Sequence, residues 1–406
     1  MEKEIRALMV TGALPPYHAG AGVQAFYLSK SLSEKHYIKI DIITQRLGRD
    51  RIVEELNLKI KIFRIPVIAK RLIIRKIMFS IGICLKILIS KKYDIVHFHD
   101  YGLLYLLPAF ISKKIRKSSV IAKAASLGVE LNNRYNNNKI LKYAFLYSLK
   151  MPEKYICQTD EMYNNFRKII NKKKLILQLN GVDIDKFNPK KVIDLKLIKE
   201  KYNLPENKKI ITFIGAVEPI KNVKKLIEAI GILRARHEND MLLLVVGPYS
   251  ENLGNNNVDK KYYNLLNNYY IEIKKIITRE HLDNFIKFIG PCSFVEEILA
   301  ITDIFVMPSE IEGTCNVVLE AMACMKPVIL SRIPAFDHFQ DRYHCLKFDS
   351  KSELDLADKI EMILNDFELR INLANNGHNY IVQNYSIDSV ANNYYQIYKN
   401  LLTNHD

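Results

Sequence analysis

Short apolar runs recur along the 406-residue chain, and longer stretches with helical spacing of apolar residues separate them. Strand-like runs stand at Arg6–Thr11, Ile38–Thr44, Ile95–His99, Ser119–Lys123, Tyr155–Gln158 and Leu175–Leu179. A polar stretch from Asp183 to Asn207 interrupts the pattern, which restarts with Ile210–Ile214, Met241–Val246, Ile286–Ile289, Ile304–Met307 and Pro327–Leu330. Gly22–Glu34, Asn222–Arg236 and Lys260–Thr278 have the helical period between them. Strand–helix alternation builds parallel sheets with helices on both faces, and nearly continuous apolar strands such as Leu242–Val246 suit burial on both sides. The expected fold is therefore α/β, with two doubly wound, Rossmann-like domains facing a central cleft, where such folds hold ligands. The expected bounds are 1–190 and 191–384, with a helix over 385–406 packing back on the first domain.

Composition is that of a globular chain, with 49% apolar and 26% charged residues, which excludes disorder and coiled coil for the whole. Charge is uneven. Residues 1–190 hold 35 basic and 15 acidic groups, and residues 191–406 hold 25 and 29, so the first part holds all of the net +16. A basic half points to an anionic partner: nucleic acid, a membrane surface or a phosphorylated substrate. The charged start leads into a strand-like run rather than a secretory signal. Ile77–Leu85 and Tyr101–Ser112 are too short to span a bilayer. The six cysteines have no Cys-x-x-Cys spacing and no His cluster, which reads as reduced thiols in a cytoplasmic protein, soluble or peripheral on the membrane.

The stretch Met307-Pro308-Ser309-Glu310-Ile311-Glu312-Gly313-Thr314-Cys315-Asn316-Val317-Val318-Leu319-Glu320 carries the most chemistry. A strand ends at Pro308, a loop with Gly313 follows, and a helix starts near Asn316, a favoured N-cap type. Free amides at a helix start attract phosphate. Glu320, one turn in, leans back toward that start, so two carboxylates can flank one ligand. A capped helix with a solvated Glu is the plainer alternative.

With Ala321-Met322-Ala323 and Pro327-Val328 beyond it, this element resembles the retaining glycosyltransferases of family four, which have the GT-B fold. The likeness extends over the chain: Tyr93–Asp100, Asn180-Gly181-Val182-Asp183 with Phe187 and Pro189, Phe213-Ile214-Gly215 through Lys221-Asn222, Phe288-Ile289-Gly290 and Asp303–Ser309 match its motifs in order. The resemblance implies sugar transfer from a nucleotide diphosphate sugar to a hydroxyl acceptor, in cell-surface polysaccharide or glycolipid synthesis, without a metal or other cofactor. It implies catalytic roles for Glu312 and Lys221. Donor contacts fall to Gly20, Gly22, Gly290, Gly313, Thr314, Cys315, Asn316, Val317 and Glu320, and acceptor contacts to His99 or Asp100. The acceptor is expected to be lipid-linked or a saccharide. A sugar-nucleotide epimerase of the same fold, and a weakly active subunit that binds nucleotide sugar, are the competing readings.

Three positions depart from the family. Ala216 stands where Arg is usual after the first strand of the second domain, Ala124–Gly128 lacks the usual His, and Met325 replaces a glycine. His97 and His99 share a strand face and invite a metal, but a strand end near the acceptor accounts for them, and Asp183-Ile184-Asp185 belongs to the interdomain motif. Lys59–Lys92 holds ten Lys and Arg and no Asp or Glu. Within it, Ile68–Ile89 interleaves cations with aliphatics, the composition of a helix on an anionic membrane, with Lys70, Arg71, Arg75 and Lys76 facing the lipid. An ordinary helix with a basic solvent face is the alternative. No nucleic-acid module is recognisable.

Overall fold

A computed structural model describes residues 4–15, 20–48, 50–68, 72–123, 138–191, 194–236, 240–252 and 260–403. The chain forms two compact units, Met1–Gly181 with Ser386–Asp406, and Val182–Tyr385. The first crossing falls ahead of the expected 190, because Val182 and Phe187 enter the core of the second unit. The Val182 N–H donates to Tyr385 O at 2.8 Å, which sets the two crossings side by side.

The first unit is built on β1 (Arg6–Val10), β2 (Lys39–Arg46), β3 (Val53–Asn57), β4 (Ile60–Pro66), β5 (Ile95–Phe98), β6 (Ser119–Lys123), β7 (Lys154–Cys157) and β8 (Leu175–Leu177). Their order is β3-β4-β2-β1-β5-β6-β7-β8, with β3 alone antiparallel. Side chains alternate across the sheet. Ala7, Met9, Ile95 and Ile121 pack against the helices Gly20–His36 and Ile387–Thr403. Leu8, Val10, Val96 and Val120 meet Phe79, Ile83 and Ile87 of the helix Leu72–Ile89. Ala122, Tyr155 and Cys157 continue that face against Phe145 of the helix Lys139–Ser148. The closing helix is tied in by polar contacts as well: Tyr398 OH lies 2.9 Å from His97 Nδ1.

β3 and β4 were not anticipated. The first is an exposed edge, and the second hides its alternating Ile60 and Ile62 inside the basic stretch. The basic helix is also different from the expectation. Its outward face is aliphatic, Ile74, Ile77, Ile81, Leu85 and Leu88, rather than cationic. Of the cations assigned to the membrane, Lys76 is exposed, Arg75 is half-buried with an enclosed and unpartnered Nε, and Lys70 and Arg71 lie outside the described residues.

The second unit has six parallel strands, β9 (Lys209–Ile214), β10 (Met241–Val246), β11 (Ile286–Gly290), β12 (Ile304–Met307), β13 (Val328–Ser331) and β14 (Leu346–Phe348), ordered β11-β10-β9-β12-β13-β14. The order reverses between β9 and β12. Open α/β sheets bind ligands beyond the carboxyl ends of the strands at such a switch point.

Candidate active site

The loops after β9 and β12 meet at that switch point. The Glu310 N–H donates to Ile220 O at 2.9 Å, which brings a segment following β12 against the turn Pro219–Lys221. Asn222 ends this turn in the left-handed region at φ 53°, which Asn tolerates, and its amide holds Ser350 O at 3.0 Å. The result is an ion pair between residues 91 positions apart: Lys221 Nζ donates to Glu312 Oε1 at 2.6 Å. Ser309 Oγ donates to the same oxygen at 2.7 Å, and Ser331 Oγ of β13 donates to Ser309 O at 2.5 Å. The Glu312 side chain is 8% exposed and that of Lys221 22%. Burial works to lower the Lys221 ammonium, but the charge and hydrogen bond of Glu312 outweigh it, so the lysine titrates above its ordinary range and stays charged.

The helix Asn316–Ala323 starts at the end of the same loop, past Gly313 and Thr314. Its N-cap is Cys315, whose side chain makes no capping hydrogen bond, with Asn316 the first helical residue. The expected Asn cap is therefore displaced by one position. The Cys315 thiol is buried, and burial raises it well above its usual range, so it is no nucleophile. Val317 is half-buried in the first turn. Glu320 follows on the same helix. Burial raises its carboxyl to about 7, Lys186 pulls it down and Glu296 pushes it up, and those two are themselves paired at 3.3 Å.

Glycines let the strand ends crowd together. Gly247 has φ 137°, and a Cβ there would stand 2.1 Å from Gly215 O. Its N–H donates to Gly290 O at 2.8 Å, and Gly290 has φ 79°. The sequence singles out Gly290 but not Gly247, whose only signal is a Gly-Pro pair closing the run Met241–Val246.

The first unit has its own switch point, between β1 and β5. Gly20 is exposed and opens the helix there, while Gly22 packs so tightly that a Cβ would lie 1.7 Å from Ala13 O. Pro16–Ala19 and the Ala124–Gly128 segment lie outside the described residues. Asp100 stands at this point, with its Oδ2 3.7 Å from where a Cβ on Gly12 would be. Burial raises its carboxyl, and Tyr105 and Lys76 pull it down. His99 does not face an acceptor surface. It is 1% exposed, its Nε2 is 3.3 Å from Met9 Sδ, and its ring stacks on His97 at 4.2 Å. Burial lowers it well below its ordinary range, followed by the charges of His97 and Lys123, so it is neutral. Lys123, which no sequence motif marks, is 2% exposed, pairs with Asn180 Oδ1, and is pushed down to about 7 by burial. Among the described residues, no three His, Cys, Asp or Glu side chains form a metal-binding group.

Residues 194–380, within the second unit, match the family model described as glycosyl transferases group 1. The chain is 21% identical over 316 residues to an N-acetyl-alpha-D-glucosaminyl L-malate synthase of Bacillus anthracis, covering 77% of this chain and 76% of that one. It is 26% identical over 322 residues to the UDP-Gal:alpha-D-GlcNAc-diphosphoundecaprenol alpha-1,3-galactosyltransferase of Escherichia coli, covering 77% and 76%. Its fold matches that of sucrose-phosphate synthase from Thermosynechococcus elongatus with a TM-score of 0.79 and 17% identity, over 98% of this chain and 100% of the other. The family match spans Lys221, Glu312 and Glu320, and the fold match spans nearly the whole chain: residues 194–380 are similar to the group 1 glycosyltransferases, and the protein is an enzyme of glycosyltransferase type with the GT-B fold.

Proposed function

We propose that this glycosyltransferase moves a sugar from a nucleoside diphosphate sugar to a hydroxyl acceptor with retention of anomeric configuration. The observation that carries this reading is the Lys221–Glu312 pair, held at the switch point beside the start of the Asn316–Ala323 helix. Lys221 and the amides from Gly313 to Val317 supply positive charge for a leaving diphosphate, where stabilisation counts most as the glycosidic bond breaks. Glu312 is assigned the sugar hydroxyls, Glu320 the ribose hydroxyls, and the Gly290–Pro291 main chain the base. The attack is on the front face: the acceptor oxygen bonds to the anomeric carbon as the bond to the diphosphate breaks, and the diphosphate oxygen takes the acceptor proton. No step calls on a metal.

The acceptor is assigned to the first unit, with Asp100 at its switch point and His99 excluded by burial. A lipid-linked or saccharide acceptor, used in cell-surface polysaccharide or glycolipid synthesis on the cytoplasmic face of the membrane, agrees with the polyprenyl diphosphate in the name of the Escherichia coli relative. Ala216 favours one competing reading, a subunit that binds donor and transfers poorly, since a diphosphate contact is lost there. Donor binding by calorimetry, without transfer across an acceptor panel, would select it.

The direct test is a donor panel read by thermal shift, followed by transfer assays and the anomeric configuration of the product by NMR. Glu312→Ala and Glu320→Ala should each lower transfer roughly 100-fold or more with the circular dichroism spectrum unchanged. Wild-type rates in both variants would refute these roles, and an inverted product would refute retention.

A further inference from the structure

Among its described side chains, the helix Leu72–Ile89 exposes one charged group, Lys76, and otherwise only aliphatic residues. Ile74, Ile77, Ile81, Leu85 and Leu88 follow one another at three- and four-residue steps, between 42% and 56% exposed. The inward face, with Phe79, Ile83 and Ile87, is core. A helix on the surface of a globular protein normally turns polar residues outward, and one that is apolar all round is buried. This helix is apolar on both faces, and no described residue covers the outer one.

The surface continues onto neighbouring elements. The helix Leu106–Phe110 packs against Leu72–Ile89 and exposes Leu107 and Phe110. The helix Lys139–Ser148 packs against it in turn and exposes Ile140 and Tyr143 beside an almost wholly apolar groove. All three cover the same side of the sheet. The exposed charges on these segments have one sign: Lys76, Lys91, Lys92, Lys114, Lys117 and Lys139 are exposed, and no Asp or Glu occurs in 67–93, 101–123 or 138–152.

We propose that this three-helix face docks flat on an anionic lipid bilayer. The aliphatic row sits at the boundary of the acyl chains, the lysines lie at the level of the phosphates, and Tyr143 takes an interfacial place. A second copy of the chain set face to face would bring lysines against lysines, whereas anionic headgroups satisfy both the apolar row and its cationic rim. An 18-residue helix is about 27 Å long and lies in the plane of such a surface. No described helix is long and apolar enough to cross a membrane. The inference is independent of the donor chemistry.

Flotation of the full chain with vesicles, in the absence of donor, tests it. The protein should float with vesicles of phosphatidylcholine and phosphatidylglycerol, far less with phosphatidylcholine alone, and less again at high salt. The double variant Ile77→Ser, Ile81→Ser should partition roughly tenfold more weakly without a lower melting temperature. Acetylation footprinting needs no variant: phosphatidylglycerol vesicles should slow modification of Lys76, Lys92 and Lys114 and leave Lys275 in the second unit unchanged. Wild-type protein that stays unbound, a variant that floats like wild type, or equal footprints with and without vesicles would overturn the proposal. So would a dimer in sedimentation velocity that the same variant abolishes, with no flotation, since the face would then join two copies.

Discussion

At the scale of the residue, the carboxyl of Glu320 offers the sharpest test. Its ordinary value is 4.5, and in the fold it titrates near 7 because burial penalises its charged form. The native state therefore holds a proton that the unfolded chain has released between those values, and stability should decline as pH rises from about 4.5 through 7. Melting temperatures of wild type and Glu320→Gln at pH 5 and 8 should show that decline in the first and not in the second. If the charged form accepts the ribose hydroxyls, nucleoside diphosphate should bind up to roughly tenfold more weakly at pH 6 than at pH 8, and Glu320→Gln should flatten that dependence. The spacing of Glu312 and Glu320 was legible in the sequence, because both lie on one loop-and-helix segment. The hydrogen bond from Lys221 to Glu312 was not, because it spans 91 residues and depends on β9 lying beside β12. His99 shows the opposite failure. Its place at a strand end was readable, but the packing of Met9 and His97 around it was not.

At the scale of the element, strand ends decide what the site can become. Gly247 occupies φ 137° with another backbone 2.1 Å from its missing Cβ, so Gly247→Ala has no side chain to push aside. It should cost about 3 kcal/mol or more, read from the urea midpoint, or leave the protein insoluble. Elements whose pattern reflects their own burial were readable: Met241–Val246 is apolar throughout and is wholly buried between two layers of helices. β3, Val53–Asn57, was not, since an exposed edge strand with two glutamates has no apolar period to detect. The helix Leu72–Ile89 is legible in the sequence as a helix, but the aliphatic row it turns outward is not. Composition counts lysines along a helix, and only the packing of Phe79 and Ile83 says which way each one points.

At the scale of the whole molecule, the chain leaves its first unit at Gly181 and returns at Ser386. The returning helix brings Val390, Tyr394 and Tyr398 into the core of that unit, and Gln24 of the helix Gly20–His36 holds Gly181 through both its amide oxygen and nitrogen. Removing residues 386–406 should expose that apolar face. Hydrogen exchange should then quicken across β1 and β5 while β9 and β12 keep their protection, and equal protection in all four strands would count against this. The charge division also follows the fold, since the lysine-rich helices lie in the first unit and the Lys221–Glu312 pair in the second. The α/β class, the restart of the pattern and the motif from Glu312 to Glu320 can be read from the chain alone, because periodicity and short motifs are local properties. The tertiary structure decided which distant residues meet, which carboxyl is pushed to about 7, and which helix face is left uncovered. Those depend on strand order and on burial, and both arise only when segments far apart in sequence pack together.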